Sequence, residues 1–160
     1  MNDAPKYSAI EIERRWLVDQ VAVGDLSSVP FREIEDLYVS GTRLRLRKVS
    51  TPNGGVIFKF GKKYGKRSLA SEPVTNLYLT ETEHRQLATL PGSMSSKRRY
   101  TVAGGALDIY RQPHPGLAVF EVEFDDEASA QAYRPPHFVT REVTSEAEFN
   151  GFSVAEAHAV

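Results

Sequence analysis

The sequence predicts an α+β protein built around an antiparallel, barrel-like β-sheet with a few peripheral helices. Charged and apolar residues alternate along several short segments, and turn signals rich in Gly, Pro and Asn separate these segments. Alternation with a period of two is typical of β-strands whose two faces meet different surroundings. Helical patterns are few and short, so seven or eight strands joined mainly by tight connections favour a sheet that closes on itself.

The length and composition predict a single domain over residues 1–160. A chain of 160 residues that is 41% hydrophobic can bury a core of its own. Apolar runs stay well short of the roughly 20 residues that span a bilayer, and the first residues lack the apolar stretch of a signal peptide. We therefore expect a soluble, cytoplasmic protein without a membrane partner. The sequence contains no Cys, which excludes disulfides and zinc-thiolate sites.

The first half of the chain is predicted to form five strands and one helix. A connection at 19–30 has room for a short helical turn, a turn signal lies at 51–55, and 62–67 is predicted as a basic loop. Thr80 and Glu83 have the spacing of a capping box that opens a helix ending near Leu90. The predicted strands are 7–18, 34–40, 43–49, 56–60 and 72–79.

The second half of the chain is also predicted to contain more strands than helices. We expect strands at 96–102, 106–111, 117–124 and 140–144, and helices at 125–133 and 145–158. The acids at 125–127 are explained by the dipole at a helix start, which favours negative charge. The four His residues are widely spaced and are interpreted as surface residues, and Trp16 as a core residue. They are His84, His114, His137 and His158.

The register of the strands decides where their charges point. In the first strand, Glu11, Glu13 and Arg15 alternate with Ile12 and, further on, Trp16. A single strand of this kind is compatible with an ordinary half-exposed sheet. The same pattern recurs in 43–47, 97–99 and 121–124, so we predict that the apolar faces pack against the helices and that the charges line the inside of the barrel.

Both signs of charge are concentrated in separate segments. Residues 41–67 contain nine Lys or Arg and no acid, whereas 121–127 contain five acids. Nucleic-acid surfaces seldom come with such dense acidic strands, so no nucleic-acid partner is expected. Basic side chains match phosphoryl oxygens, while carboxylates match a hard divalent cation, Mg²⁺ or Mn²⁺. The combination indicates a small polyanion that arrives with a metal, and metal-assisted attack on a phosphoanhydride.

The charged segments resemble those of one known family, the CYTH-domain proteins or triphosphate tunnel metalloenzymes, over nearly the whole chain. Residues 11–15, Glu-Ile-Glu-Arg-Arg, resemble the family's Glu-x-Glu-x-Lys signature. Order and spacing agree in the segments that follow. These are Arg43–Arg47 for an Arg-x-Arg strand, 57–59 for a strand ending in Lys, 97–100 for Lys-x-Arg-Tyr, 107–110 for an Asp-bearing strand, Glu121–Phe124, and 142–155.

The resemblance implies an eight-stranded antiparallel tunnel that binds a triphosphate-containing small molecule with Mg²⁺ or Mn²⁺. It implies catalytic roles for Glu11, Glu13 and Arg15. The implied phosphate-binding residues are Arg45, Arg47, Lys59, Lys97 and Arg99, with Arg43 a lesser candidate. The implied metal ligands are Glu11, Glu13, Glu121 and Glu123, with Asp108 as a weaker candidate. Known members include inorganic triphosphatases, thiamine-triphosphatases, capping triphosphatases and some adenylate cyclases.

Three departures from the family pattern keep a second function open. Arg15 replaces the signature Lys and, being permanently protonated, is unsuited to general-base work. Val74 and Asn76 stand where many bacterial members carry alternating Glu residues, leaving only Glu72 there. Residues 149–152 lack the basic residues of some active members. The leading hypothesis is metal-dependent triphosphate hydrolysis. The alternatives are a non-catalytic triphosphate- or polyphosphate-binding protein and, third, an adenylate cyclase.

Overall fold

An antiparallel sheet that closes on itself forms the body of the molecule. The computed structural model describes residues 4–156, and within them nine strands form one sheet in the order β5-β4-β3-β2-β6-β7-β8-β1-β9. Pairing of β5 with β1 closes the first eight strands into a barrel, and β9 is added outside the ring, against β1. The strands are β1 (Ala9–Val18), β2 (Phe31–Val39), β3 (Leu44–Ser50), β4 (Val56–Lys63), β5 (Ser71–Leu79), β6 (Gly92–Val102), β7 (Gly105–Gln112), β8 (Ala118–Glu123) and β9 (Val139–Glu142).

Short helices connect or flank these strands, as the sequence predicted. The helices are α1 (Gln20–Val23), α2 (Glu81–Leu87), α3 (Glu127–Ala132) and α4 (Gly151–Ala155). Thr80 caps α2 by accepting from the backbone of Glu83, whose own side chain accepts from the backbone of Thr80. Asp126 caps α3 by accepting from Ser129 N at 2.7 Å. Within residues 4–156, no helix combines the length and apolarity needed to cross a membrane.

The main apolar core lies on the outer face of the barrel. Trp16, Phe120 and Val122 are buried there, with Phe138 packed edge-on against Phe120 at 5.2 Å between ring centres. Residues of α1 and of the connection that follows it pack against this cluster. The apolar face of β1 and β8 therefore points outward, under helices and loops, which leaves the charged face for the interior. Ile10 is the exception on β1, since it is 44% exposed.

Several predicted boundaries were wrong. β2 begins at Phe31, three residues before the predicted start, because it pairs with β6 as far as Tyr100. Lys62 and Lys63 were predicted in a loop, but β4 continues through Lys63 because its pairing with β5 extends to Val74. β6 begins at Gly92, four residues before the predicted start, because it pairs with β2 as far as Val39.

The predicted helix at 145–158 is instead a 3-10 turn (Ala147–Phe149) followed by α4. Asn150 separates the two elements, since its extended backbone ends the turn and its side chain accepts from Ser153 N at 2.8 Å. The last part of the predicted helix, including His158, lies outside the described residues.

Candidate functional site

The charged face of the barrel encloses one large cavity. Its volume is about 1090 Å³, and ten basic and six acidic side chains are among the residues that line it. The basic residues are Arg15, Arg43, Arg45, Arg47, Lys59, Lys62, Lys63, Lys66, Lys97 and Arg99. The acidic ones are Glu11, Glu13, Glu72, Glu121, Glu123 and Glu146. The structure thus brings every sequence-predicted site residue to this cavity except Asp108, which is fully buried and is not among the lining residues.

Carboxylates from three adjacent strands form an acidic wall. Antiparallel pairing places Glu13 on β1 opposite Glu123 on β8, and Glu11 on β1 opposite Glu72 on β5. Residues directly opposite in such a pair have neighbouring side chains on the same face. The acidic wall, defined as Glu11, Glu13, Glu72 and Glu123, therefore follows from the closure of the barrel between β5 and β8.

A lysine lies at the centre of the acidic wall. Lys63 Nζ is 2.7 Å from Glu11 Oε2, 3.5 Å from Glu13 Oε1 and 3.9 Å from Glu72 Oε2. Burial raises the pKa of Glu123, and the nearby Glu11 and Glu13 raise it further. The carboxylates are thus close enough to repel one another, and Lys63 supplies the opposite charge.

The acidic wall fits a divalent metal by its chemistry. Carboxylate oxygens are the ligands that Mg²⁺ and Mn²⁺ prefer, and mutual repulsion among the carboxylates favours a cation between them. In residues 4–156, no three His, Asp or Glu side chains are grouped closely enough to hold a metal ion. The acidic oxygens are arranged around the Lys63 ammonium, so a metal bound to them would take over contacts that Lys63 now makes.

Arg15 lies between Glu13 of the acidic wall and Glu121 on β8. Its Nη2 donates to Glu13 Oε1 at 2.5 Å, its Nε is 3.4 Å from Glu121 Oε1, and its Nη1 donates to the Phe149 carbonyl oxygen at 2.9 Å. Burial alone would lower the pKa of Arg15, but Glu121 and Glu13 raise it overall. The guanidinium is thus a permanent charge that positions two of the predicted ligands and ties the C-terminal segment to the cavity.

A basic wall on β3 and β4 faces the cavity, and some of its hydrogen-bond donors are not used by other protein groups. We define the basic wall as Arg45, Arg47 and Lys59. Arg47 donates through Nε and Nη2 to Asp36 at 2.6 and 2.7 Å, so its Nη1 takes no part in that pair. Arg45 Nε is buried without a hydrogen-bond partner, 4.0 Å from the Asp36 carboxylate.

Lys59, the third member, lies over the ring of Tyr78 at 5.2 Å and has no carboxylate within ion-pair distance among the described residues. A buried donor without an acceptor, such as Arg45 Nε, is costly. The basic wall is therefore suited to an anion that enters the cavity.

Lys97 and Arg99 continue the basic lining onto β6, and Asp108 on the neighbouring β7 forms ion pairs with both. Asp108 accepts from Lys97 Nζ at 2.5 Å and from Arg99 Nε and Nη2 at 2.6 and 2.7 Å. Asp108 is 0% exposed and Lys97 only 4%. Arg99 Nη2 also reaches Glu121 at 3.0 Å, which links this group to β8. The geometry gives Asp108 two cations as partners, and its assignment as a metal ligand stays a prediction.

Sequence reasoning missed Asp36, Lys63 and Tyr110. Asp36 shares the inward face of β2 with Ile34 and Tyr38, so no alternation of charged residues marked it. Lys63 follows Lys59 at an interval of four on the same strand face, but it was assigned to a loop. Tyr110 pairs with Lys97 across β6 and β7 and lies under its ammonium at 5.1 Å.

Asp36 predicts a specific loss of stability in acid. Burial by itself raises the pKa of Asp36, but Arg47, Arg45 and Lys97 lower it to about 2. A depressed pKa in the folded state stabilises the fold above the unfolded value near 4, and this contribution disappears as the pH falls towards 2. Denaturant unfolding at pH 7, 4, 3 and 2.5 should show a loss on the order of 2 kcal/mol from this group.

The matched variant is Asp36→Asn, which keeps the shape of the side chain but removes its titration. This variant should be less stable at neutral pH, because it leaves Arg47 without its partner, and its stability should fall less between pH 4 and 2.5. Equal acid slopes for the two proteins would show that Asp36 is not responsible.

Comparison of the sequence with family profiles and with curated proteins gives no significant match. Comparison of the structure with solved structures does give matches. One is the crystal structure of the hypothetical protein NE1496, with a TM-score of 0.60, 22% identity, and coverage of 93% of this chain and 99% of that chain.

Another is the crystal structure of the inorganic triphosphatase NE1496, with a TM-score of 0.56, 22% identity, and coverage of 92% of this chain and 95% of that chain. At this identity the likeness concerns the fold, which is shared over almost the full length of both chains.

Proposed function

We propose that this chain is a CYTH-like tunnel protein that hydrolyses a triphosphate-containing substrate with the help of Mg²⁺ or Mn²⁺. The observation that carries the proposal is that the basic wall and the acidic wall line one and the same cavity, and that the basic wall contains a buried donor, Arg45 Nε, without a partner. The likeness in fold to a structure named as an inorganic triphosphatase supports the same conclusion.

The basic residues would bind the phosphate chain. Arg45 Nε has no partner, and Arg47 and Arg99 each use Nε and Nη2 for a buried Asp, which fixes the plane of the guanidinium. The Nη1 groups outside these pairs are then available at a fixed orientation, which suits the geometry of phosphoryl oxygens. Lys59 and Lys97 add positive charge at either side, so the β3, β4 and β6 surface is the phosphate-binding surface in this proposal.

The acidic wall would hold the metal through Glu11, Glu13 and Glu123. A divalent ion bound there would neutralise phosphoryl charge and polarise the phosphorus that water attacks. Arg15 would keep Glu13 and Glu121 in position through its contacts at 2.5 and 3.4 Å. Because Arg15 is permanently protonated, it would act by orienting carboxylates and by stabilising negative charge, while a carboxylate would accept the proton of the water.

A specific observation favours the binding protein as the second candidate. Val74 and Asn76 both line the cavity on β5, so Glu72 is the one carboxylate that this strand contributes to the lining, and the two alternating acids of the family pattern are replaced. Fewer acidic oxygens weaken the hold on a metal but leave the basic wall intact. Tight binding of triphosphate without turnover would therefore fit the second candidate.

The assay that separates these functions uses tripolyphosphate, ATP and thiamine triphosphate, each with Mg²⁺ or Mn²⁺. Release of phosphate supports hydrolysis, binding without release supports the binding protein, and formation of cyclic nucleotide with pyrophosphate would indicate a cyclase. If the protein neither binds nor cleaves any of the three compounds, the proposal is wrong.

Arg45→Met tests the phosphate-binding surface. The dissociation constant for tripolyphosphate, measured by calorimetry, should rise about tenfold or more, because a hydrogen bond to a charged group contributes roughly 1.5–3 kcal/mol. Lys48→Met is the matched control, since Lys48 lies on the same strand but pairs with Glu35 near the surface at 3.4 Å. Equal losses of affinity in both variants would indicate general electrostatics rather than a contact of Arg45.

A further inference from the structure

Lys63 is held inside the cavity by the strand that carries it. Lys59, Gly61 and Lys63 share the inward face of β4, and the backbone of Lys63 pairs with Val74 on β5. This register extends β4 beside the seam where β5 meets β1. The side chain is 33% exposed, and its Nζ lies against Glu11, Glu13 and Glu72.

The neighbours of Lys63 explain why it stays there. Partly buried carboxylates close to one another require a compensating cation. Lys66 is near the same group, but its Nζ donates to the carbonyl oxygens of Leu69 and Thr144 at 2.9 and 3.2 Å. Arg15 is engaged with Glu13, Glu121 and Phe149. Among the described residues, Lys63 is therefore the cation that reaches both Glu11 and Glu72.

An ammonium and a divalent ion make incompatible demands on these oxygens. Mg²⁺ requires oxygen ligands at about 2.0–2.1 Å in a near-octahedral shell. The Glu11 Oε2 atom is already the acceptor of a hydrogen bond from Lys63 at 2.7 Å. The two cations would also repel each other at such separations. Glu11 and Glu13 can therefore bind either the Lys63 ammonium or the divalent ion, but not both at once.

We propose that Lys63 is a built-in counter-ion that competes with the divalent metal for Glu11 and Glu13, so that metal binding requires the Lys63 ammonium to leave the acidic wall. This inference rests on the proposed function for the identity of the metal. Lys63 stabilises the carboxylates while no metal is bound, and it lowers the affinity of the protein for free metal. The residue thereby sets how much metal the free protein takes up.

The test measures binding of Mn²⁺ alone, without any phosphate, by electron paramagnetic resonance of the free ion. Lys63→Met and Lys63→Gln remove the competing charge, and the affinity of each variant for Mn²⁺ should be about tenfold higher or more than that of the unaltered protein. An opposite charge within ~4–6 Å changes the affinity of a carboxylate for a proton by about one to three factors of ten, and it opposes a bound metal ion in the same direction. Lys63→Arg keeps the charge and should leave Mn²⁺ binding weak.

Lys59→Met is the matched control, because it removes the same charge from the same strand face but has no carboxylate partner among the described residues. Its Mn²⁺ affinity should rise much less than that of Lys63→Met. Equal rises in Lys59→Met and Lys63→Met, or no measurable Mn²⁺ binding in Lys63→Met and Lys63→Gln, would overturn the inference. Thermal melts establish that each variant is folded.

The outcome is independent of whether the protein cleaves triphosphate. Tighter Mn²⁺ binding in both neutral variants supports the competition even if no substrate is hydrolysed. Conversely, metal-dependent hydrolysis by the unaltered protein, with unchanged Mn²⁺ affinity in the Lys63 variants, would support the proposed function and refute the role of Lys63.

Discussion

Asp108→Ala should lower the free energy of unfolding by about 3–5 kcal/mol, the cost of removing one partner from a buried ion pair. Asp108 is fully buried and is the shared acceptor of Lys97 and Arg99. Its loss leaves the Lys97 ammonium, which is 4% exposed, without a carboxylate in contact. Since small domains are stable by only ~5–15 kcal/mol, the variant should unfold at a much lower urea concentration.

Glu33→Ala is the matched control for this measurement. Glu33 also has two guanidinium partners, since it accepts from Arg98 and forms an ion pair with Arg111, but it lies on the outer face of β2 and is about one-third exposed. Exposed pairs contribute about 0–1 kcal/mol, so the control should unfold close to the unaltered protein. Comparable losses in the free energy of unfolding would mean that the buried Asp108 ion pairs stabilise the fold no more than the exposed Glu33 pairs do.

Glu11→Gln and Glu13→Gln should each reduce metal-dependent hydrolysis of tripolyphosphate by at least about a hundredfold. Each substitution keeps the size of the side chain but removes a negative charge from the acidic wall. The rate of phosphate release at saturating Mn²⁺ gives the effect on turnover, and Mn²⁺ binding gives the effect on the metal. Both should decrease together, because the same oxygens hold the ion and act on the substrate.

Glu35→Gln provides the comparison for these variants. Glu35 is exposed on the outer face of β2, beside Lys48, so its substitution should leave turnover unchanged. If metal-dependent phosphate release persists at its full rate in both Glu11→Gln and Glu13→Gln, the acidic wall is not the metal site. Loss of folding is excluded by checking that the circular dichroism of each variant matches that of the unaltered protein.

The fold was predictable because its determining pattern is local. Alternation in 11–16 and 121–124 reports directly which strand face is apolar, and Trp16 and Phe120 do occupy the outer core. Capping by Thr80 depends on neighbours within three residues and was equally readable, and the acids at 125–127 do lie at the start of a helix. The ninth strand was not distinguished from the eight of the barrel, since its place depends on pairing with β1 more than a hundred residues earlier.

The charged residues of the cavity were predictable as a set, but their pairings were not. Alternation identifies the inward face, yet it cannot say that Lys63 meets Glu11, 52 residues away in sequence, because that contact depends on the closure of β5 onto β1. The position of Lys63 was also hidden by the assignment of 62–67 to a loop. Asp36 was missed for a related reason, since an acid beside Ile34 and Tyr38 is informative only once Arg47 is known to face it.

The closure of the barrel has a consequence for how the chain acquires its structure. β1 precedes its partners β5, β8 and β9 along the chain, and Arg14 donates to Glu142, 128 residues further on. β5 and β8 must therefore both be synthesised before β1 can be paired on both edges. Topologies dominated by such distant pairings fold slowly, over milliseconds to seconds. During that interval, the charges of 11–15 keep the unpaired edge of the first strand hydrated and discourage pairing with other chains.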